Sequence, residues 1–356
     1  MKKLDWYIIK KFVGTFFFAI LILAVIACVI DYSEKVDDFV AKKAPLPEIL
    51  NYFKNFIPHI SALLFPLFIF IATIFFTSKL AYKSEIIAML AGGISFQRFM
   101  RPYLIGGGFL CLLSLLANHW IVPNANKQRL AFEDKYVHNA KIASGNIHMR
   151  LSKNLFIYLQ SYDFATNAGY RFTAEDIDGI RLRQKLSADR ISYDTIKKTW
   201  LLTGITIRDN DSTHETLRFA DRMEMKYPFE PKDLVEDENV KESLTTPELN
   251  RYIIQERMRG RESLNFFLVE RDRRTAQPFA GLILTLIGVC IASRKVRGGS
   301  GFHLALGIVI SALYILLLQF STTFSTKAGL NSVIAVWIPN ILFGILAYYL
   351  YRRQVK

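Results

Sequence analysis

The chain has 356 residues, of which 51% are hydrophobic, and it carries a formal net charge of +14. The hydrophobic residues are concentrated in long runs, which is typical of a polytopic membrane protein rather than a soluble one. The basic residues lie beside these runs, so their charge follows the positive-inside rule and argues against nucleic-acid binding.

Six stretches are apolar enough to cross about 30 Å of hydrocarbon as helices. They are residues 12–30, 57–77, 103–122, 276–293, 302–320 and 333–351. Lys and Arg are enriched in the segments on one side of these spans, so we expect both termini in the cytoplasm. Three spans precede the long polar insert, which places the insert on the opposite side of the membrane from the termini. The sequence divides into residues 1–122 with spans 1 to 3, and residues 276–356 with spans 4 to 6.

A short cytoplasmic helix is predicted at about residues 83–93, between the second and third spans. Ser84 is a candidate N-cap, and Glu85 suits the positive end of the helix dipole. The residues of interest in this segment are Ser84, Glu85, Ile86, Ile87, Met89, Leu90, Gly92 and Gly93. The apolar residues supply a surface and the two glycines end the helix. Two interpretations stay open: an interfacial helix that rests on lipid, or a coupling helix that docks into a cytoplasmic partner.

The insert alternates apolar and polar residues with the period of two that half-buried strands have. The pattern is seen at residues 155–159, 191–193, 200–207 and 219–227, and turn-forming Asn, Asp and Gly residues separate these segments. In the last of them, Met223 and Met225 point to one face. We therefore expect residues 123–245 to form an all-β domain, a sandwich or a jelly-roll, inserted into an α-helical membrane bundle.

Residues 246–275 are predicted to form connecting helices. Thr245 and Glu248 have the spacing of a capping box, Pro247 suits the first helical turn, and Gly260 would end the first helix. A second, charged helix from about Ser263 should run into the fourth span. The pair is interpreted as a stiff joint between the β-domain and the bundle, with plain surface helices as the alternative.

No pattern in the chain indicates catalysis. The six histidines are scattered without metal-ligand spacing, and the glycine-rich residues 298–301 lack the Lys-Ser/Thr of a phosphate-binding loop. We predict no catalytic residue, no metal site and no cofactor, which leaves a transport or binding role.

Several segments resemble the LptF/LptG family of lipopolysaccharide-export permeases, in the same order along nearly the whole chain. They are LDWYI at 4–8, Ser84-Glu85 with Met89 and Gly93, residues 188–202, RDRRTAQP at 271–278 and AVWIPN at 335–340. The resemblance implies a permease subunit of an ATP-driven ABC exporter that takes lipopolysaccharide from the outer leaflet of the inner membrane. ATP hydrolysis would occur in a separate cytoplasmic ATPase subunit.

The resemblance also implies the remaining partners. A second homologous permease would complete the transmembrane unit, glycolipid would enter between the first and fifth helices, and a periplasmic bridge protein would receive it. Ser84, Glu85 and the apolar residues after them would transmit the motion of the ATPase. Members of the LptG type carry basic residues just beyond the first helix that face lipid phosphates. Here the segment is acidic, and Lys35 is its basic residue, so the subunit type stays open.

Acyl chains would need an apolar wall in the β-domain. The candidates are Leu155, Ile157, Leu159, Met223 and Met225, which ordinary core packing explains equally well. Two other functions remain as alternatives. One is an ion-driven secondary transporter, and the other is a non-transporting membrane scaffold whose periplasmic domain binds a partner.

Overall fold

A computed structural model describes residues 3–137, 142–164, 166–210, 214–234, 240–259, 264–294 and 299–355. The chain divides into two compact units. The helical unit comprises Met1–Val137, Lys241–Leu249 and Asn265–Lys356, and the β unit comprises His138–Val240 and Asn250–Leu264.

The helices follow in this order: α1 (Lys3–Ala41), α2 (Leu46–Leu63), α3 (Phe65–Tyr82), α4 (Glu85–Ala91), α5 (Phe96–Leu116), α6 (Val122–Tyr136), α7 (Val240–Ser243), α8 (Thr246–Arg259), α9 (Leu264–Ala292), α10 (Gly299–Ala328) and α11 (Ser332–Val355). A π-helical segment, Ala117–Ile121, joins α5 to α6. In the described residues six helical stretches are long and apolar enough to span a membrane, which confirms the predicted number.

The second span begins later than the sequence predicted. Residues 57–63 belong to α2, and the candidate span is Phe65–Tyr82. Pro66 explains the break, because it has no N–H to donate to the carbonyl of Ala62 four residues earlier. The side chain of Gln277 in α9 replaces that donor, with Nε2 at 2.7 Å from the Ala62 carbonyl oxygen.

The predicted start of the β-domain at residue 123 is too early. The α5 helix continues through the π-helical segment into α6, so that residues 123–136 are helical and belong to the helical unit. Pro123 does not interrupt this stretch, because proline is compatible with the first turn of a helix. Phe132 and Tyr136 of α6 pack with Phe39, Tyr52 and Phe56 from α1 and α2.

Two larger cores hold the spans together. The first joins α1, α3, α4 and α5 through residues that include Ile8, Phe12 and Phe99. The second joins α3, α9, α10 and α11 around Phe70 and Tyr314. The helices approach closely: a Cβ at Gly307 of α10 would lie 2.5 Å from Ile74 Cδ1 of α3. Such close packing of small residues is common between membrane helices.

The β unit contains one antiparallel sheet of six strands. They are β1 (Ile142–Arg150), β2 (Leu155–Asp163), β3 (Ala168–Asp178), β4 (Arg181–Asp194), β5 (Thr199–Asn210) and β6 (Glu215–Met225), and they pair in sequence order. The predicted fold class, a helical membrane bundle with an inserted all-β domain, is confirmed. Pairings among the described residues join consecutive strands, so the jelly-roll-like domain has the strand order of a meander.

The connecting segment has one half of the predicted capping box, the bond from the Thr245 N–H to the Glu248 side chain. The Glu248 carboxylate accepts hydrogen bonds from the backbone N–H and the hydroxyl of Thr245, each at 2.8 Å, and α8 starts at the next residue. The predicted helix end at Gly260 and the start at Ser263 lie outside the described residues. From Leu264 onward the charged segment and the fourth span form one continuous helix, α9.

Candidate functional site

The predicted cytoplasmic helix exists as α4, and its start differs from the expectation. Ser84 occupies the N-cap position with a left-handed backbone, φ 59°, and its side chain makes no capping hydrogen bond. The usual N-cap geometry has an extended backbone that aims the side-chain oxygen at the first turn. Ser84 therefore lies in the turn between α3 and α4, and its side chain does not cap α4. Glu85 is the acidic residue of the first turn of α4.

The end of α4 has the hydrogen bonds of a Schellman motif. Gly93 has φ 84°, the N–H of Gly93 donates to the Leu90 carbonyl at 3.0 Å, and the N–H of Ile94 donates to the Met89 carbonyl at 3.2 Å. A left-handed residue at this position strongly favours glycine. Of the two glycines predicted to end the helix, Gly93 is thus the one whose backbone conformation requires glycine.

The apolar residues of α4 divide between two faces. Ile86 is 1% exposed and lies in the core shared by α1, α3 and α5, and Met89 packs against that core. Ile87 and Leu90 are 51% and 40% exposed. The expected single apolar surface is therefore smaller than predicted: Ile86 and Met89 anchor the helix, and Ile87 and Leu90 remain available for contact with a partner or lipid.

Ser95 and Arg98 order the start of α5, and Arg98 joins it to α1. The Ser95 hydroxyl caps α5 by accepting a hydrogen bond from the backbone N–H of Arg98, at 3.3 Å. The Arg98 guanidinium Nη2 then lies 2.7 Å from Asp5 Oδ2 at the start of α1, where the Asp5 side chain is buried. Sequence reasoning assigned no role to Asp5 or Arg98, which are 93 residues apart.

Lys35 lies in a polar cluster at the far end of α1. Its Nζ donates to Asp31 Oδ1 at 2.7 Å, to the Tyr52 hydroxyl at 2.6 Å and to Glu133 Oε1 at 2.8 Å. The Tyr52 hydroxyl lies 2.8 Å from Asp31 Oδ2 and 3.0 Å from Glu133 Oε1, and burial raises its pKa, so it keeps its proton. Lys35 is thus an internal cation that neutralises two carboxylates.

The cluster continues through α6 to the segment after the β-domain. Arg129 forms a two-point ion pair with Glu133, at 3.1 and 3.0 Å, and its Nη2 lies 3.6 Å from Glu242 Oε2. Burial raises the pKa of Glu242, with the nearby Glu270 as a second cause. Burial also lowers the pKa of His59 to about 4, so the contact of His59 with Glu242 at 3.8 Å is not an ion pair at neutral pH.

A second buried group fixes the same segment to α9. Glu270 pairs with Arg273 at 2.7 Å and with Arg274 at 3.1 Å. Arg274 also donates to the carbonyls of Leu244 and Lys241, each at 2.8 Å. The backbone that follows the β-domain is therefore attached by charge-assisted hydrogen bonds, which are stronger than neutral ones. Among the described residues, no group of three or more His, Cys, Asp or Glu side chains is arranged to hold a metal ion.

The candidate groove residues of the β-domain come together in its core. Ile157 and Leu159 are buried, and Leu155, Met223 and Met225 pack partly buried against the same cluster. Trp200 lies at its centre, stacked on Phe229 with a centroid separation of 4.7 Å, and its indole N–H donates to the Phe229 carbonyl at 3.0 Å. All five residues therefore lie in one core, which Met223 and Met225 face together as the alternation predicted, and a groove for acyl chains remains a proposal.

The α1 and α10 spans are the least buried of the six candidate spans in the described residues. In the most apolar 18-residue window only 11% of the α1 residues and 22% of the α10 residues are buried, against 72% for α3. Exposed residues of these helices include Phe18, Leu21, Val25, Phe320 and Phe324. Such faces need lipid or a second membrane protein to cover them.

Comparison with known proteins agrees with this architecture. The family model described as lipopolysaccharide export system permease LptF/LptG matches residues 6–353. A search of curated proteins gave no match. The family match covers the spans, α4 and the whole β-sheet. The chain therefore belongs to the LptF/LptG family of lipopolysaccharide export permeases and is a multi-pass inner-membrane transport protein.

Proposed function

We propose that this permease is the membrane subunit of an ATP-driven ABC exporter that extracts lipopolysaccharide from the outer leaflet. Its termini and α4 lie in the cytoplasm and its β-domain lies in the periplasm. Its partners are a cytoplasmic ATPase, a second homologous permease and a periplasmic bridge protein that receives the lipid. The excess of Lys and Arg beside the spans supports this orientation, and the family match supports the substrate.

The observation that carries the proposal is the two-faced packing of α4. A seven-residue helix has little stability of its own, yet Ile86 and Met89 anchor it in the bundle core. Ile87 and Leu90 then form an outward apolar surface of the kind that docks into a groove on a partner. Glu85 is placed to meet a basic residue at the rim of that groove.

Energy requirements support a separate ATPase. Removing a multi-acyl lipid from a bilayer costs about 0.8 kcal/mol per exposed methylene, and we found no nucleotide-binding motif in the sequence. The work must come from a partner, and α4 is the element suited to receive it. Displacement of α4 would pass to α5 through the Gly93 to Ser95 turn, and to α1 through the Arg98–Asp5 ion pair.

The lipid path is proposed to follow the exposed faces of α1 and α10. These faces are continuous apolar surfaces in the spans, so a second permease and an entering lipid can both contact them. The apolar residues of the β-domain, including Leu155 and Met223, would then receive acyl chains if the sheet opens toward the bridge protein. Lys35 is assigned a structural role, since its Nζ is already bound by two carboxylates.

Co-purification tests the proposal. The chain is expressed in its native membrane, solubilised gently and analysed for associated proteins, as wild type and as Glu85→Arg and Ala91→Arg. Ala91 is exposed on α4, and the exposed Lys54 of α2 provides a matched charge-reversal control, Lys54→Glu. We expect an ATPase and a second permease with the wild type and the control, and loss of the ATPase from both α4 variants.

A chain that purifies alone, with α4 variants that behave like the wild type, would contradict the ATP-driven model. Transport that survives loss of the ATPase but not loss of the ion gradient would indicate the ion-driven alternative. Association with a periplasmic partner without any transport would indicate the scaffold.

A further inference from the structure

Two cavities meet at the end of the helical unit that carries α4, and Gln97 lines both. The first is an apolar groove of about 320 Å³ between α5, α9 and α11. Its apolar lining includes Met100, Leu104, Ile283, Leu286, Gly344 and Ala347. The second is a surface cavity of about 560 Å³ lined by the apolar residues Leu90, Ile94 and Phe96 and by the polar residues Ser95, Gln97, Ser293, Arg294 and Gln354.

The groove has the form of a slot for a hydrocarbon chain. Gln97, Met100 and Leu104 lie on one face of α5, and seven residues of helix correspond to a length of about 10 Å. The slot is open because α11 has a glycine here: no atom lies within 4 Å of the position of a Cβ at Gly344. All three helices that form it are candidate spans, so the surroundings of the groove are lipid tails.

The adjoining cavity suits an anionic head group. Arg294 donates from Nε to Gln354 Oε1 at 3.3 Å, and Gln354 donates to the Cys290 carbonyl at 2.7 Å, which orders the arginine at the cavity wall. A second arginine, Arg352, lies over the ring of Tyr348, 5.7 Å from its centroid, and Tyr348 lines the groove. Of the described residues that line the two cavities, none is acidic.

From this arrangement we infer that the two cavities bind one anionic glycerophospholipid of the leaflet on the α4 side. One acyl chain lies in the groove, and the phosphate lies beside Arg294 and Arg352. An acyl chain gains little by leaving other lipid tails, so selectivity comes from the head group. Each arginine near the phosphate favours an anionic over a zwitterionic lipid by about fivefold.

The site is distinct from the proposed export path. The position of the two cavities does not depend on the proposed function. Only the assignment of the leaflet on the α4 side as the cytoplasmic leaflet rests on it. In that orientation lipopolysaccharide lies in the opposite leaflet, and the exposed faces of α1 and α10 do not line either cavity. Leu90 of α4 and Ile94, which follows α4, also line the second cavity, so a bound head group would also contact the segment that is proposed to meet the ATPase.

Native mass spectrometry tests the inference. The full chain is reconstituted in vesicles of equal amounts of phosphatidylethanolamine and phosphatidylglycerol, released into mild detergent, and scored for retained lipid. Gly344→Leu places a side chain at the groove, and its Cβ would meet no protein atom within 4 Å outside its own helix backbone. Gly108→Leu is the matched control, because Gly108 also has open space around it but lies outside both cavities. Arg294→Gln combined with Arg352→Gln removes both cations.

We expect the wild type and Gly108→Leu to retain phosphatidylglycerol, and Gly344→Leu to lose at least fivefold. The double arginine variant should still retain lipid but without preference for phosphatidylglycerol. Equal retention by the wild type and Gly344→Leu, or no retained lipid in the wild type, would overturn the inference. The measurement needs no ATPase, so a chain that retains phosphatidylglycerol but binds no ATPase would contradict the proposed function and not this site.

Discussion

Replacing Lys35 by methionine tests whether its side chain stabilises the fold or binds a lipid phosphate. Its side chain is 19% exposed, and its partners Asp31 and Glu133 are 12% and 8% exposed, at 2.7 and 2.8 Å. Removing one partner of a buried ion pair typically costs about 3–5 kcal/mol. Here Asp31 keeps the Tyr52 hydroxyl and Glu133 keeps Arg129. We therefore expect the free energy of unfolding to fall by about 2–4 kcal/mol.

The assay is unfolding of the purified permease in mixed micelles, followed by circular dichroism as denaturing detergent is added. A second variant carries Lys35→Met together with Asp31→Leu. It should recover at least half of the loss, because replacing a buried pair by apolar residues of similar volume is close to neutral. The exposed Lys54 of α2 supplies the control, Lys54→Met, which should change the free energy by no more than about 0.5 kcal/mol.

A different result would refute the structural role. If Lys35→Met unfolds like the wild type and lowers only the export of lipid, then Lys35 is a free cation in the membrane and the phosphate contact is its function. If the double variant is less stable than Lys35→Met, the loss does not come from an uncompensated Asp31.

Three further predictions concern pH, α4 and α1. Burial lowers the pKa of His59 from 6.5 to about 4, so the unfolded chain binds a proton between these values and the folded chain does not. The contribution of His59 to stability should thus fall by about 2 kcal/mol from pH 7.5 to pH 5, and the melting temperature of His59→Gln should fall less than that of the wild type over this range. Gly93→Ala forces alanine to φ 84° at a cost of about 1–2 kcal/mol, so hydrogen exchange of the α4 amides should accelerate. The control is Gly14→Ala in the helix α1, which should leave this exchange unchanged. Asp5→Arg and Arg98→Asp should each lower the lipid exported per ATP, and the exchanged pair should restore it; no restoration would exclude the proposed link.

The spans were predictable because long apolar runs are a local property of the sequence. Their ends were not, and both clear errors occur at prolines. Pro66 starts a new helix inside a run that reads as one span, because it lacks the N–H that would continue α2. The side chain of Gln277 in α9 donates to the Ala62 carbonyl in its place. Pro123 lies within a helical stretch that reads as finished. In both places a distant side chain or a change in helix geometry decides the outcome, and neither is visible in local composition.

The candidate site was likewise predictable where the signal is local in the sequence and not where distant residues meet. Local spacing predicted the position of α4 and its glycine end, and alternation predicted that Met223 and Met225 face the core of the β-domain. Nothing local assigns Lys35 to Glu133, because 98 residues separate them. A charged residue beside the apolar end of α1 is equally consistent with a lipid phosphate and with an internal carboxylate. The pattern in α6, where Arg129 and Glu133 are four residues apart between buried apolar residues, was the available signal.

The two ion pairs of α1 together determine how this helix can move. Asp5 is attached to Arg98 of α5 near one end, and Lys35 is attached to Glu133 of α6 near the other. Thirty residues of helix correspond to about 45 Å, and most of the surface between these points is not packed in the core. Sliding or rotating α1 independently of its neighbours would separate buried charges at one end or the other. A force applied to α4 would therefore displace α1 as a single unit. The exposed apolar face of α1 would then move relative to any lipid or second permease that covers it.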